Sequence, residues 1–164
     1  MKHMLIKNLK QSSFPLFVIK IALIAFVIKI PTGILGIGLI DLFQLDNPMY
    51  SAVLQEPTLT VDDLILAILF APIIETIVGQ MLPLWFFGKF TRNSTVLITI
   101  SAGIFMALHY PVIEFFPSAF AVGWIFAWAW VVKRKENVRV AFWAVALSHA
   151  LHNALVALLA SVFM

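Results

Sequence analysis

Five polar side chains stand inside otherwise apolar stretches of this sequence, and their types suit acid–base chemistry: Glu75, His109, His149, His152 and Asn153. Glu75 is the only charged residue in the run from Leu64 to Gly88. A carboxylate near the middle of a bilayer costs about 2.5–3.5 kcal/mol on insertion scales, so a residue without a task is rarely found there. Such a carboxylate can take a proton from water, while imidazoles or an amide steer that water or donate to an oxyanion. Positions four apart on a helix share a face, which points His149 and Asn153 the same way, with His152 one residue round. Glu75, His109 and His149 also make a two-histidine, one-carboxylate set of the kind a catalytic zinc uses. No His-Glu-x-x-His stretch accompanies them. Taken singly, the histidines and the asparagine read equally well as interhelical hydrogen bonds, and Glu75 as an ion site. The absence of cysteine removes thiol catalysis and disulfides.

Holding these residues requires a membrane. The chain has 164 residues, 62% hydrophobic and 12% charged, with a mean hydropathy of +1.02. Soluble domains run nearer 45–50% apolar and 25% charged. The fold class expected is all-α: a polytopic membrane protein with about five transmembrane helices, near 17–40, 64–87, 95–110, 117–132 and 140–163. The third has room to extend towards Phe115, and the first has a possible break at Pro31 and Gly33. Thr60 with Asp63 reads as the cap of the second helix. Residues 1–63 form an N-terminal anchor span and an acidic external loop, and residues 64–164 a four-helix core, in one membrane domain overall.

Basic residues cluster at the N-terminus (Lys2, Lys7, Lys10), at 89–92 and at 133–139, while the connections 41–63 and 111–116 have none. Alternating spans then place every basic cluster in the cytoplasm, the N-terminus inside and the C-terminus outside. The same clusters account for the net charge of +3 without any nucleic-acid partner. The pattern points to a multi-pass protein of a prokaryotic plasma membrane. Counting about 1.5 Å per residue from the cytoplasmic helix ends, Glu75 and Asn153 lie roughly 18–20 Å deep, His149 roughly 14 Å and His109 roughly 21 Å. Three helices therefore bring these groups to one layer. Small residues such as Gly79, Gly103 and Ala146 would let those helices approach closely. Lys29 is left deep in the first span, either snorkelling to the interface or leaning towards Glu75.

These spacings resemble the CPBP family of CaaX prenyl proteases and bacteriocin-processing (Abi-type) membrane enzymes. Its pattern is Glu-Glu-x-x-x-Arg, then Phe-x-x-x-His, then His-x-x-x-Asn or Asp, on three helices. Phe105 to His109 and His149 to Asn153 match the second and third parts. The first part is degenerate: Glu75 keeps the leading acid, Thr76 replaces the second Glu, and Gln80 replaces the Arg. Positions 76 and 80 are one helical turn apart, so an acid and a base there could pair, and this chain has lost both charges together.

The resemblance implies an intramembrane endopeptidase of glutamic mechanism. Glu75, helped by His109, would activate a water, and His149 and Asn153 would donate to the oxyanion. Thr76, Gln80 and His152 would be supporting neighbours. No cofactor is favoured; zinc, held by Glu75, His109 and His149, is the alternative. The partners implied are the bilayer and a membrane-embedded or lipidated peptide or protein substrate. The rival function is a non-proteolytic scaffold, regulator or immunity protein on the same fold.

Overall fold

A computed structural model of the chain describes residues 9, 11–44, 60–110, 112 and 115–163. Lys2, Lys7, Lys10 and most of the acidic connection lie outside the described residues. Among the described residues five helices of 14 or more residues follow in order: α1 (Phe14–Phe43), α2 (Val61–Phe87), α3 (Ser94–Ala107), α4 (Phe116–Lys133) and α5 (Val138–Phe163). No strand occurs among the described residues. The protein is an all-α polytopic membrane protein.

Local chemistry sets the helix ends. Thr60 and Asp63 form a reciprocal capping box, the Thr60 hydroxyl accepting from the Asp63 N–H at 3.2 Å and the Asp63 carboxylate accepting from the Thr60 N–H at 3.0 Å. Asn93 accepts from the Thr95 and Val96 N–H groups at the start of α3. Asn137 accepts from Val140 N–H at 2.8 Å at the start of α5. α1 runs unbroken through Pro31, and the Thr32 hydroxyl donates to the Ile28 carbonyl at 2.6 Å beside it. Of the two readings of the deep Lys29, a helix break at Pro31 and Gly33 does not occur.

The third helix is shorter than the span expected at 95–110. α1, α2, α4 and α5 are long and apolar enough to cross a bilayer, whereas α3 has only 14 residues. Such a helix rises about 21 Å, short of a hydrocarbon core of about 30 Å. It stops at Ala107 because Pro111 has no N–H for the Ala107 carbonyl and biases Tyr110 away from helical geometry.

α4 is the central helix. Its Val122, Phe126 and Trp130 pack in one core with Phe17, Ile21 and Ala25 of α1 and with Ala141, Ala144 and Val145 of α5. Three side chains tie helices through backbone carbonyls. Ser101 of α3 donates to Gly79 of α2 at 2.6 Å and Asn153 of α5 to Ala67 of α2 at 2.7 Å, while the single hydroxyl hydrogen of Ser148 is shared between Ala144 of its own helix at 2.6 Å and Val18 of α1 at 3.2 Å. Where no water competes, such bonds average about 0.6 kcal/mol and reach about 1.7 kcal/mol.

Lys89, Arg92, Lys133 and Arg134 gather at one end of the bundle. Arg134 shares a cleft of about 390 Å³ with Lys89 and Arg92. The Lys133 ammonium sits 4.8 Å above the Phe17 ring, near the start of α1, and pairs with Glu136 at 2.6 Å.

Candidate active site

α2 departs from regular α geometry on both sides of Glu75. Leu66–Phe70 and Thr76–Met81 are π-helical, separated by one α-helical turn, Ala71–Glu75. The cause is local. The Ala71 N–H bonds to Leu66 O, one residue further back than in an α-helix. The next such bond would join residue 72 to Ala67, but Pro72 has no N–H to give. Asn153 Nδ2 supplies that hydrogen instead, at 2.7 Å. A parallel device stands one helical segment later. Pro83 cannot donate to its α-helical acceptor, the Gly79 carbonyl, and Ser101 does so at 2.6 Å. Two prolines thus expose two carbonyls, and two neighbouring helices dock on them. The turn that carries Glu75 is held between those docks.

Glu75 and His149 come together. Glu75 Oε2 lies 3.8 Å from His149 Nε2, with the two side chains 24% and 4% exposed. That separation exceeds hydrogen-bond length, and Glu75 Oε2 has no hydrogen-bond partner among the described residues. The two groups are thus close but not hydrogen-bonded to each other.

His109 joins the same cluster through Phe105. Its Nδ1 is 2.9 Å from the Phe105 carbonyl, which places the proton on Nδ1. In the neutral ring, Nε2 is then left as an acceptor. The Phe105 ring lies 5.0 Å from the His109 ring and 5.5 Å from the His149 ring, centroid to centroid. The phenylalanine of the Phe-x-x-x-His motif thus orients one histidine by its carbonyl and packs against both by its ring. It is itself clamped. A Cβ on Gly79 would come within 2.9 Å of Phe105, and so would a Cβ on Gly123 of α4. Gly103, expected at a close contact, has nothing within 4 Å and faces open space.

His149, His152, His109 and Asn153 wall a cavity of about 40 Å³ together with Lys29, Phe105, Phe115 and Ser118. On volume alone this admits one or a few waters. It lies among the end of α3, the start of α4 and the second half of α5, in the half of the bundle away from the basic end. Glu75 is not part of its wall and approaches His149 from α2. His152 is buried, its ring 6.1 Å from Phe126 and 6.5 Å from His149, and its Nδ1 has no partner among the described residues.

Thr76 and Gln80 are fully buried, and Thr76 Oγ1 and both Gln80 amide atoms have no hydrogen-bond partner among the described residues. They do not pair with each other. Lys29 does not turn to Glu75, and among the described residues no ion pair joins them; its ammonium lies 5.4 Å over the Phe115 ring, on the cavity side. No group of three His, Asp or Glu side chains among the described residues converges closely enough to hold a metal ion. Sequence reasoning missed Ser101, Ser118, Gly123 and Phe126. A buried serine within an apolar helix is a usable signal, whereas nothing local distinguishes Gly123 or Phe126 from other small or aromatic residues.

The architecture is that of a polytopic helical membrane protein carrying an intramembrane glutamate, three histidines and an asparagine. The family model for type II CAAX prenyl endopeptidases, Rce1-like, matches residues 57–155, more than half of the chain, and the protein belongs to that family. No curated protein and no solved structure gives a significant match. Glu75, His109, His149 and Asn153 fall within the matched stretch, and Lys29 falls outside it.

Proposed function

We propose that the protein is an intramembrane endopeptidase in which Glu75 activates a water against a peptide bond. Glu75 takes a proton from the water, whose oxygen attacks the carbonyl carbon. His109 Nε2 accepts a hydrogen bond from the same water and orients it. His149, and the second N–H of Asn153, donate to the oxygen that becomes negative. The C–N bond then breaks and the proton held by Glu75 passes to the leaving amine. The first N–H of Asn153 stays on Ala67, so one amide both fixes α5 to α2 and serves the reaction. No enzyme nucleophile is acylated and no cofactor enters the scheme.

The observation that carries this reading is the placement of Glu75 Oε2. It is a buried acceptor without a partner among the described residues, 3.8 Å from the imidazole of His149. Membership in an endopeptidase family supports it independently. The substrate is a membrane-embedded or lipidated peptide segment. The basic end is cytoplasmic by the positive-inside rule. The cavity is then reached from the outer half of the bilayer, and a prokaryotic plasma membrane suits this arrangement.

A scaffold or immunity role is the second reading, favoured by the uncharged Thr76 and Gln80, whose side chains have no hydrogen-bond partner among the described residues. Comparing the peptides in membranes from cells carrying the wild type and Glu75→Ala separates the two. Peptides that disappear in the variant support proteolysis. An unchanged peptide profile, with the cellular phenotype intact, supports the scaffold.

A further inference from the structure

Lys29 lies too deep to snorkel. It stands twelve residues after Phe17, which packs beside Lys133 at the basic end of the bundle, and fourteen before the end of α1 at Phe43. On a continuous helix it is therefore about 18 Å from one end and about 21 Å from the other, further than a four-carbon stem spans. Its ammonium sits 5.4 Å over the Phe115 ring, a cation–π contact that satisfies one face of it. Among the described residues it has neither an ion pair nor a hydrogen bond. The described residues of the cavity it lines include His109, His149, His152 and Asn153, and none of them is a carboxylate. A cation at this depth is expected to have a partner or a task. Among the described residues of the cavity wall there is no such partner.

The geometry points to Lys29 as an anion-binding subsite of the histidine cavity, one that takes a carboxylate of the peptide substrate. The ligand class rests on the endopeptidase reading. A peptide offers one anion of this size, a carboxylate, either at its C-terminus or on an Asp or Glu side chain. The cavity of about 40 Å³ suits a small polar group rather than a whole residue. Because Lys29 and His149 share its wall, a carboxylate bound at Lys29 would hold the adjoining chain beside the reacting groups. Lys29 comes from α1, outside the stretch that the family match covers, so this selectivity belongs to this chain's own first helix.

The test is a binding titration that needs no turnover. The full chain in detergent micelles is titrated with N-dodecanoyl-Ala-Leu, with its carboxamide, and with N-dodecanoyl-Glu-Leu carboxamide, following the melting temperature. Wild type and Glu75→Gln should bind the free acid about tenfold more tightly than the carboxamide, a difference of about 1.4 kcal/mol. Lys29→Met should lose that preference and Lys29→Arg should keep it. If the glutamyl carboxamide matches the free acid, the subsite reads side-chain carboxylates; if it binds as weakly as the plain carboxamide, the subsite reads the C-terminus. Equal affinities for acid and carboxamide in the wild type, or a preference that survives Lys29→Met, overturns the proposal. Should Lys29→Met fail to fold, Lys29→Gln is scored in its place and should likewise lose the preference. Cleavage is scored separately. Intact proteolysis without the preference overturns the subsite alone, and the preference without any proteolysis overturns the enzymatic reading alone.

Discussion

Asn153 and Pro72 are predicted to be coupled although neither side chain bonds to the other. Asn153→Ala removes the donor to the Ala67 carbonyl and leaves that acceptor without a partner inside the bundle. Interhelical bonds in membrane proteins are worth about 0.6–1.7 kcal/mol, and a carbonyl left unpaired against hydrocarbon adds to this. A loss of about 1–2 kcal/mol is expected. Pro72→Ala restores a backbone N–H at the position whose absence exposed that carbonyl. In the Pro72→Ala background, Asn153→Ala should therefore cost about 1 kcal/mol less. The assay is a double-mutant cycle of reversible unfolding in bicelles. Additivity within about 0.3–0.5 kcal/mol refutes the reasoning, because independent sites add to that precision. Activity separates the two roles given to Asn153. An oxyanion donor is worth about 100- to 1,000-fold in turnover, and Pro72→Ala should restore stability without restoring that rate.

Gly123→Ala places a methyl 2.9 Å from the Phe105 ring and pushes it towards Gly79, which has no room either. Overpacking of this kind costs about 1–3 kcal/mol, and activity should fall with it because Phe105 positions His109 and His149; wild-type stability and turnover would contradict the clamp. Thr76→Glu alone buries a carboxylate at a fully buried position and should destabilise by about 3–5 kcal/mol. Adding Gln80→Arg one turn away should recover most of that, and a double variant as unstable as the single one would show that the two positions do not pair. Cleavage by the reconstituted protein should survive a strong zinc chelator, with no bound metal on elemental analysis; loss by chelation and rescue by zinc would replace the water-activation scheme with a metal one at Glu75, His109 and His149.

Much of this architecture is written locally in the chain. The apolar runs and the cap at Thr60 fix the five helices to within a few residues, since each signal acts over one turn. The depth count placed Glu75 and His149 in one layer because helical rise is nearly constant, and they stand 3.8 Å apart. The two π segments were not legible, although Pro72 and Pro83 were. A proline says which carbonyl loses its partner, but not that Asn153 or Ser101 from another helix will replace it. Gly79 and Gly103 look alike in sequence, yet only the first meets Phe105. Lys29 was visible as an anomaly, but its direction was not, because the rotation of α1 is set by Phe17, Ile21 and Ala25 packing on α4 and α5.

The central claim is that Glu75 is the base. Cleavage of a membrane peptide by purified protein in liposomes, wild type beside Glu75→Gln, tests it most directly. The amide keeps the size and the hydrogen-bonding oxygen of the side chain but cannot take the proton. General-base catalysis contributes about 100- to 10,000-fold, so the variant should fold, melt near the wild-type temperature and lose at least about 100-fold in turnover. A well-folded Glu75→Gln protein that cleaves at the wild-type rate would contradict the account.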